Sequence, residues 1–170
     1  LNEIAILGLF ALSLDLILGY AGIVSLGHAA FLGMGAYCAG LLALHVTADP
    51  LAGLAFAMAA SGLLGLATSP LVLRGTDLTR LMITLGVALT LYEAANSLSR
   101  LTGGADGLQG IAMGPVLGLF EFDIFGRTAY LYSLTVLFVL FVVARRIVNS
   151  PFGRVLQAIR ENEFRAEAIG

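Results

Sequence analysis

The chain has 170 residues, of which 59% are hydrophobic and 12% charged, with a formal net charge of −2. Soluble domains carry about 25% charged residues, so this chain cannot cover a water-facing surface and its composition selects a membrane protein. The weak charge excludes a basic field for nucleic acid, and the single cysteine, Cys38, excludes an internal disulfide and a cysteine metal cluster.

A bilayer core about 30 Å thick needs about 20 apolar residues per helix. Five stretches approach that length: residues 4–18, 22–44, 51–73, 78–98 and 128–144. The predicted fold class is therefore all-α, a polytopic transmembrane helical bundle. The first stretch is apolar except for Ser13 and Asp15. The third follows a polar break at Thr47, Asp49 and Pro50. The fourth contains Glu93, one turn from Asn96, and the fifth is the cleanest. The chain starts at Leu1 and stops at Gly170 inside what reads as an unfinished helix, so the expectation is a fragment of a longer protein. Its first residues lack the basic start and cleavage pattern of a signal peptide.

The most unusual segment is GYAGIVSLGHAAFLGMGAY, Gly19 to Tyr37, with five glycines and a histidine in apolar surroundings. Helices in lipid associate by close packing, which small residues permit. Ala29/Gly33, Gly35/Ala39 and Ala36/Gly40 are small-xxx-small pairs, which predicts neighbours on several sides of this helix. Gly19 and Gly22 bracket Tyr20 and Ala21 between two apolar runs, which suggests a break within the membrane. Freed backbone at such breaks can bind ligand where it lines a cavity. Asp15, Gly19, Gly22, Ser25, Gly27 and His28 are therefore the candidate residues for a solute path. His28 is costly to leave in hydrocarbon, so it should face protein or water. A satisfied packing histidine is the plainer reading and a proton relay the sharper one. Asp15 either bonds the broken segment or faces a polar path.

Residues 99–127 form a long connection. Glycines 103, 104, 107, 110 and 114 signal turns. Phe120, Phe122 and Ile124 alternate with Glu121 and Asp123, which fits a short strand or hairpin. An irregular interfacial loop fits as well. Arginine placement sets the orientation. Arg74, Arg80, Arg145, Arg146, Arg154, Arg160 and Arg165 fall on one side, and only Arg100 and Arg127 on the other. The first side is expected to be cytoplasmic, which puts residues 99–127 outside and residues 147–170 in the cytoplasm.

That tail, SPFGRVLQAIRENEFRAEAIG, opens with Ser150 and Pro151, a capping side chain before proline at the first helical position. Phe152, Val155, Leu156 and Ile159 mark one apolar face, and Glu161 can pair with Arg165. A helix resting on lipid headgroups usually carries mostly basic charge. This one mixes three arginines with three glutamates, which favours docking on a soluble protein.

Four blocks in order, GYAGIVSLGHAAFLGMGAY, LRGTDLTRLMITLG, LTGGADGLQGI and the tail, resemble the permease subunits of branched-chain amino acid ABC importers, closer to the M-type than to the H-type of that pair. The resemblance spans nearly the whole chain. It implies a multi-pass subunit of the bacterial inner membrane that forms a solute path with a second permease. Two cytoplasmic ABC ATPases would bind the ATP, and a periplasmic substrate-binding protein would deliver solute. No cofactor is implied for this chain, nor catalysis by it: the phosphate-binding loop GxxxxGK[ST] is absent and there is no lysine. The family's coupling segment maps onto the tail, which makes Phe152, Gly153, Arg154, Ala158, Glu161, Glu167 and Gly170 the candidate ATPase contacts.

Two departures stand out. The family more often has asparagine where Asp15 stands, and an aromatic where Asp77 and Leu78 stand. They leave open a related solute such as an amide, urea or another small carboxylate. A channel or ion-coupled carrier would need charged pairs deep in the helices. A membrane enzyme would need a nucleophile cluster, and Ser25 with His28 lacks a third member. A structural subunit without a path is the remaining alternative.

Overall fold

A computed structural model describes residues 1–73, 75, 77–123, 126–162 and 166. Most of the described residues are helical: α1 is Asn2–Asp15, continued by a π-helical turn Leu16–Ala21; α2 is His28–His45, α3 Pro50–Leu73, α4 Asp77–Ser97, α5 Ser99–Thr102, α6 Arg127–Val148 and α7 Pro151–Glu161. Among the described residues, five spans are long and apolar enough to cross a membrane: Asn2–Ala21, His28–His45, Pro50–Leu73, Leu78–Ser97 and Arg127–Val148. The last span outruns its predicted end at residue 144 by a turn. The second begins at His28 rather than at residue 22. The reason is local: Gly22 is left-handed, with φ 68°, and ends the preceding helix. The Leu26 amide then goes to the Thr84 side chain instead of a helical carbonyl.

The described chain divides into two compact units, one of Leu1–Val24 with Asp123–Gly170 and one of Ser25–Phe122. In the first, α1 packs along α6, and α7 touches both the π turn and the end of α6. The C-terminal ends of α1 and α6 therefore lie together, and the two helices run in the same direction. The first and fifth of five successive crossings must do so. Leu137 of α6 packs over Gly8 of α1, and Ala5 and Ala144 are the buried apolar residues.

In the second unit, α2 packs closely on α3 and both touch α4. Gly35 is the point of closest approach: a Cβ there would lie 2.9 Å from Ser61 Oγ and 3.5 Å from Ala57 Cβ. Ser61 in turn donates to the Phe31 carbonyl at 2.9 Å. Gly40 lies under Leu108 and Ile111 of the long connection. The packing role of the small residues thus holds at Gly35 and Gly40, while Gly33 faces open space. Pro70 lies inside α3 and has no amide to offer the Leu66 carbonyl. The Ser69 hydroxyl donates to that carbonyl at 2.9 Å.

The long connection is anchored rather than extended. Its start forms α5 and a 3₁₀ turn at Gly104–Asp106, and the Gly114 amide donates to the Ala48 carbonyl at 2.8 Å. The alternating segment reduces to one antiparallel bridge, Val116 with Phe120, across a tight turn whose Leu117 and Gly118 are both left-handed. There is no strand among the described residues, and Ile124 lies outside them. Two left-handed residues between the paired positions turn the chain back before a ladder can grow.

Large apolar side chains stay exposed along the spans, Leu66 at 72% and Phe138 at 66% among them. Water would penalise such surface heavily, whereas lipid is as apolar as leucine. Gly35→Leu should overpack the α2–α3 contact and destabilise the protein by about 1–3 kcal/mol. Gly33→Ala should stay within about 0.5 kcal/mol of the parent. Thermal unfolding of the two variants in detergent checks the pair.

Candidate functional site

The predicted path residues fall in both units. Asp15, Gly19 and Gly22 belong to the first, and Ser25, Gly27 and His28 to the second. In the first unit Asp15 marks the switch from α to π winding. The π turn places one more residue between donor and acceptor than an α-helix does. The Gly22 amide thus reaches back to the Ile17 carbonyl, which the Ile23 amide shares at 3.3 Å. Asp15 is exposed, and its carboxylate lies over Gly19, 3.3 Å from where a Cβ would stand.

Carbonyls in the last turn of a helix have no amide of that helix to accept from. The Gly19 carbonyl is met instead by the guanidinium of Arg160, from α7. Gly22 lies under the same side chain. A Cβ at Gly22 would lie 2.8 Å from Arg160 Cγ and 3.3 Å from its Cδ. The backbone freed by the break is therefore engaged by the tail helix in this conformation. Beside it, a cavity of about 310 Å³ opens between α1 with its π turn and α6. Asp15 and Tyr20 line one wall, Arg145 and Asn149 the other.

In the second unit the residues leading into α2 are pinned on α4. The Leu26 amide donates to Thr84 Oγ1 at 3.2 Å, and that hydroxyl donates to the Leu81 carbonyl at 3.0 Å. Gly27 is buried against the Thr84 carbonyl, well inside the distance any Cβ could tolerate. His28 opens α2, half-buried, with its ring tilted 49° to that of Phe31 at 6.3 Å between centroids. Ser25 is half-buried before it.

The tail helix α7 has the cap its sequence predicts. Ser150 accepts from the Gly153 amide at 3.4 Å, and Pro151 occupies the first turn. Gly153 is buried at the corner with α6: a Cβ there would lie 2.7 Å from the Ile147 carbonyl oxygen and closer still to that of Val148. The helix consequently has two sides. Gly153, half-buried Leu156 and Arg160 are spaced at i, i+3 and i+7, and the outer two touch other segments of this chain. Phe152, Val155 and Ile159 have the same kind of spacing and are 63%, 54% and 43% exposed. Arg154, Ala158 and Glu161 are also exposed, and Glu167 and Gly170 lie outside the described residues.

Sequence reasoning did not single out Thr84 or Arg160 as site residues. Thr84 carried one signal, a hydroxyl in an apolar span. Arg160 carried another, a cation seven residues beyond a glycine on the same helix face. Thr84→Val removes the acceptor for the Leu26 amide and should cost about 1–2 kcal/mol. Gly27→Ala should cost more, because it drives a methyl group into backbone. Thermal unfolding in detergent, with hydrogen exchange at the Leu26 amide, distinguishes the two.

The family model described as branched-chain amino acid transport system / permease component matches residues 1–170. The chain is 30% identical, over 189 aligned positions, to the high-affinity branched-chain amino acid transport system permease protein LivM of Escherichia coli K12. The match to the protein of the same name from Salmonella typhimurium LT2 has the same identity and extent. In both cases the alignment covers 95% of this chain and 43% of the relative, so the chain spans less than half the length of the curated relatives it matches. No solved structure matches it.

Proposed function

The chain belongs to the family of branched-chain amino acid transport permease components, and from that premise we propose that it forms part of the solute path of an ATP-driven importer for branched-chain amino acids. In this reading a second permease completes the path. Two cytoplasmic ABC ATPases seat on the tail, and a periplasmic binding protein delivers the solute. The membrane is the bacterial inner membrane, with the seven-arginine side in the cytoplasm. The chain itself breaks no covalent bond. It has no lysine and no phosphate-binding loop, so the work of nucleotide hydrolysis falls to the partners.

The observation that carries this reading is α7. It is capped by Ser150, fixed to the last span by the Gly153 corner, and presents Phe152, Val155 and Ile159 outward. An amphipathic helix with an exposed apolar side fits a groove on a soluble protein. The balanced charge of residues 150–170, three arginines and three glutamates, is a poor match for an anionic lipid surface. On the membrane side, the Asp15 to His28 segment is the proposed lining of the solute path. Gly19 and Gly22 there let the backbone change shape, and amides outside regular helix can meet a carboxylate.

The corner geometry decides how to test the tail. A substitution at Gly153 would disturb the α6–α7 joint whether or not an ATPase binds. Phe152→Glu and Val155→Glu alter only the outward side. Each should leave membrane insertion intact, abolish co-purification of the ATPases, and lower ATP-dependent uptake of a branched-chain amino acid by about tenfold or more, the equivalent of about 1.4 kcal/mol of lost docking energy. Unchanged co-purification with both variants would refute the coupling role of this face.

A further inference from the structure

We propose that Arg160 is a positioning residue that ties α7 to the π turn of the first span, so that displacement of the tail helix is passed directly to residues 16–22. This inference rests on the reading of α7 as the seat of the ATPases and adds the path by which its motion enters the membrane.

Three features of one contact carry it. The Arg160 guanidinium donates to the Gly19 carbonyl, 141 residues away in sequence. The aliphatic stem of the same residue lies across Gly22, where a Cβ would be only 2.8 Å from Cγ. Gly22 itself is left-handed, with φ 68°, a conformation glycine adopts without the steric cost that a Cβ imposes. Stem and head thus hold two points on either side of Tyr20 and Ala21, and a Cβ at position 22 would push the stem from its place.

The segment so held is suited to respond. A π turn inserts an extra residue into the helical ladder, and such turns are frequent at functional sites. Its carbonyls are already shared unevenly, with Ile17 accepting from both Gly22 and Ile23. Shifting one bond by one residue changes the winding without unfolding the helix. The opposite end of α7 is fixed by Gly153 against the end of α6. A push on the exposed side of α7 therefore pivots the helix about Gly153, and Arg160, two turns away, carries the largest displacement. What it moves is the Gly19 carbonyl.

The test uses the full-length chain assembled with its partner permease, ATPases and binding protein in proteoliposomes, and reads amino acid imported per ATP hydrolysed. Arg160→Met keeps a linear stem over Gly22 and removes the donor. It should retain ATPase association and hydrolysis while import per ATP falls about tenfold, a loss that displaced timing rather than misfolding produces. Arg160→Lys, which restores a donor, should recover part of that loss. Arg160→Ala, which removes stem and head together, should fall at least as far as Arg160→Met. Wild-type import per ATP in Arg160→Met, or an Arg160→Lys variant that does no better than Arg160→Met, would overturn the inference and leave the proposed function standing. Import by the wild-type assembly that needs no ATP would overturn the proposed function and this inference with it.

Discussion

A backbone amide or carbonyl in hydrocarbon must find a partner inside the protein, because the lipid offers none. Regular helix meets that constraint along most of the described chain, and three departures from it are each met by a specific residue. Pro70 leaves the Leu66 carbonyl without its amide, and the Ser69 hydroxyl supplies a donor. The unwound approach to α2 leaves the Leu26 amide outside any helix, and Thr84 accepts from it. The π turn ends at a left-handed glycine, and Arg160 answers the Gly19 carbonyl. The last two repairs come from a different helix, so satisfying the backbone also ties elements together. Polar side chains of the spans and of the tail helix thus act as fasteners at the points where the ladder is interrupted.

The glycines follow from the same setting. Between helices in lipid there is little hydrophobic gain, and contact area comes from backbones that approach closely. Gly35 lets α2 sit against Ala57 and Ser61, and the approach in turn brings Ser61 within reach of the Phe31 carbonyl. Gly27 and Gly153 do something stricter: each abuts a backbone carbonyl of another element. At those two positions even an alanine methyl would overlap backbone, so the joints they form are fixed in position. Gly33, by contrast, has nothing beside it. Spacing alone does not distinguish a joint from an idle glycine.

That contrast explains what the sequence revealed. The number and order of the spans were legible because about 20 consecutive apolar residues have few alternatives to a crossing helix. The tail helix was legible from Ser150, Pro151 and the recurring apolar positions, all of which act within one turn. The start of α2 was not, since residues 22–27 are apolar and glycine-containing like the helix that follows. What excludes them from it is a left-handed Gly22 and a hydroxyl 58 positions away on Thr84. Phe120 and Phe122 suggested a strand by their alternation, but the turn at Leu117 and Gly118 closes after a single bridge. For the candidate site, the sequence marked Asp15, Gly19 and Gly22 as a break. It did not show that the break is covered by Arg160, because that contact depends on tertiary placement of α7.

The two sides of α7 set limits on how it could transmit force. A helix attached by a single flexible joint would swing without moving anything else, and one buried on all sides could not be reached from outside. Here the carbonyls packed on Gly153 leave no room for the near end to slide, the far end grips a segment of unusual winding, and the side carrying Phe152, Val155 and Ile159 is left exposed. A fixed point, a free face and a remote attachment are the three requirements of a lever. The attachment is to a main-chain carbonyl rather than to another side chain. A main-chain atom cannot turn away through a rotamer change, so movement of Arg160 beyond the reach of its own side chain is met by a change in the winding of the π turn or by loss of the bond.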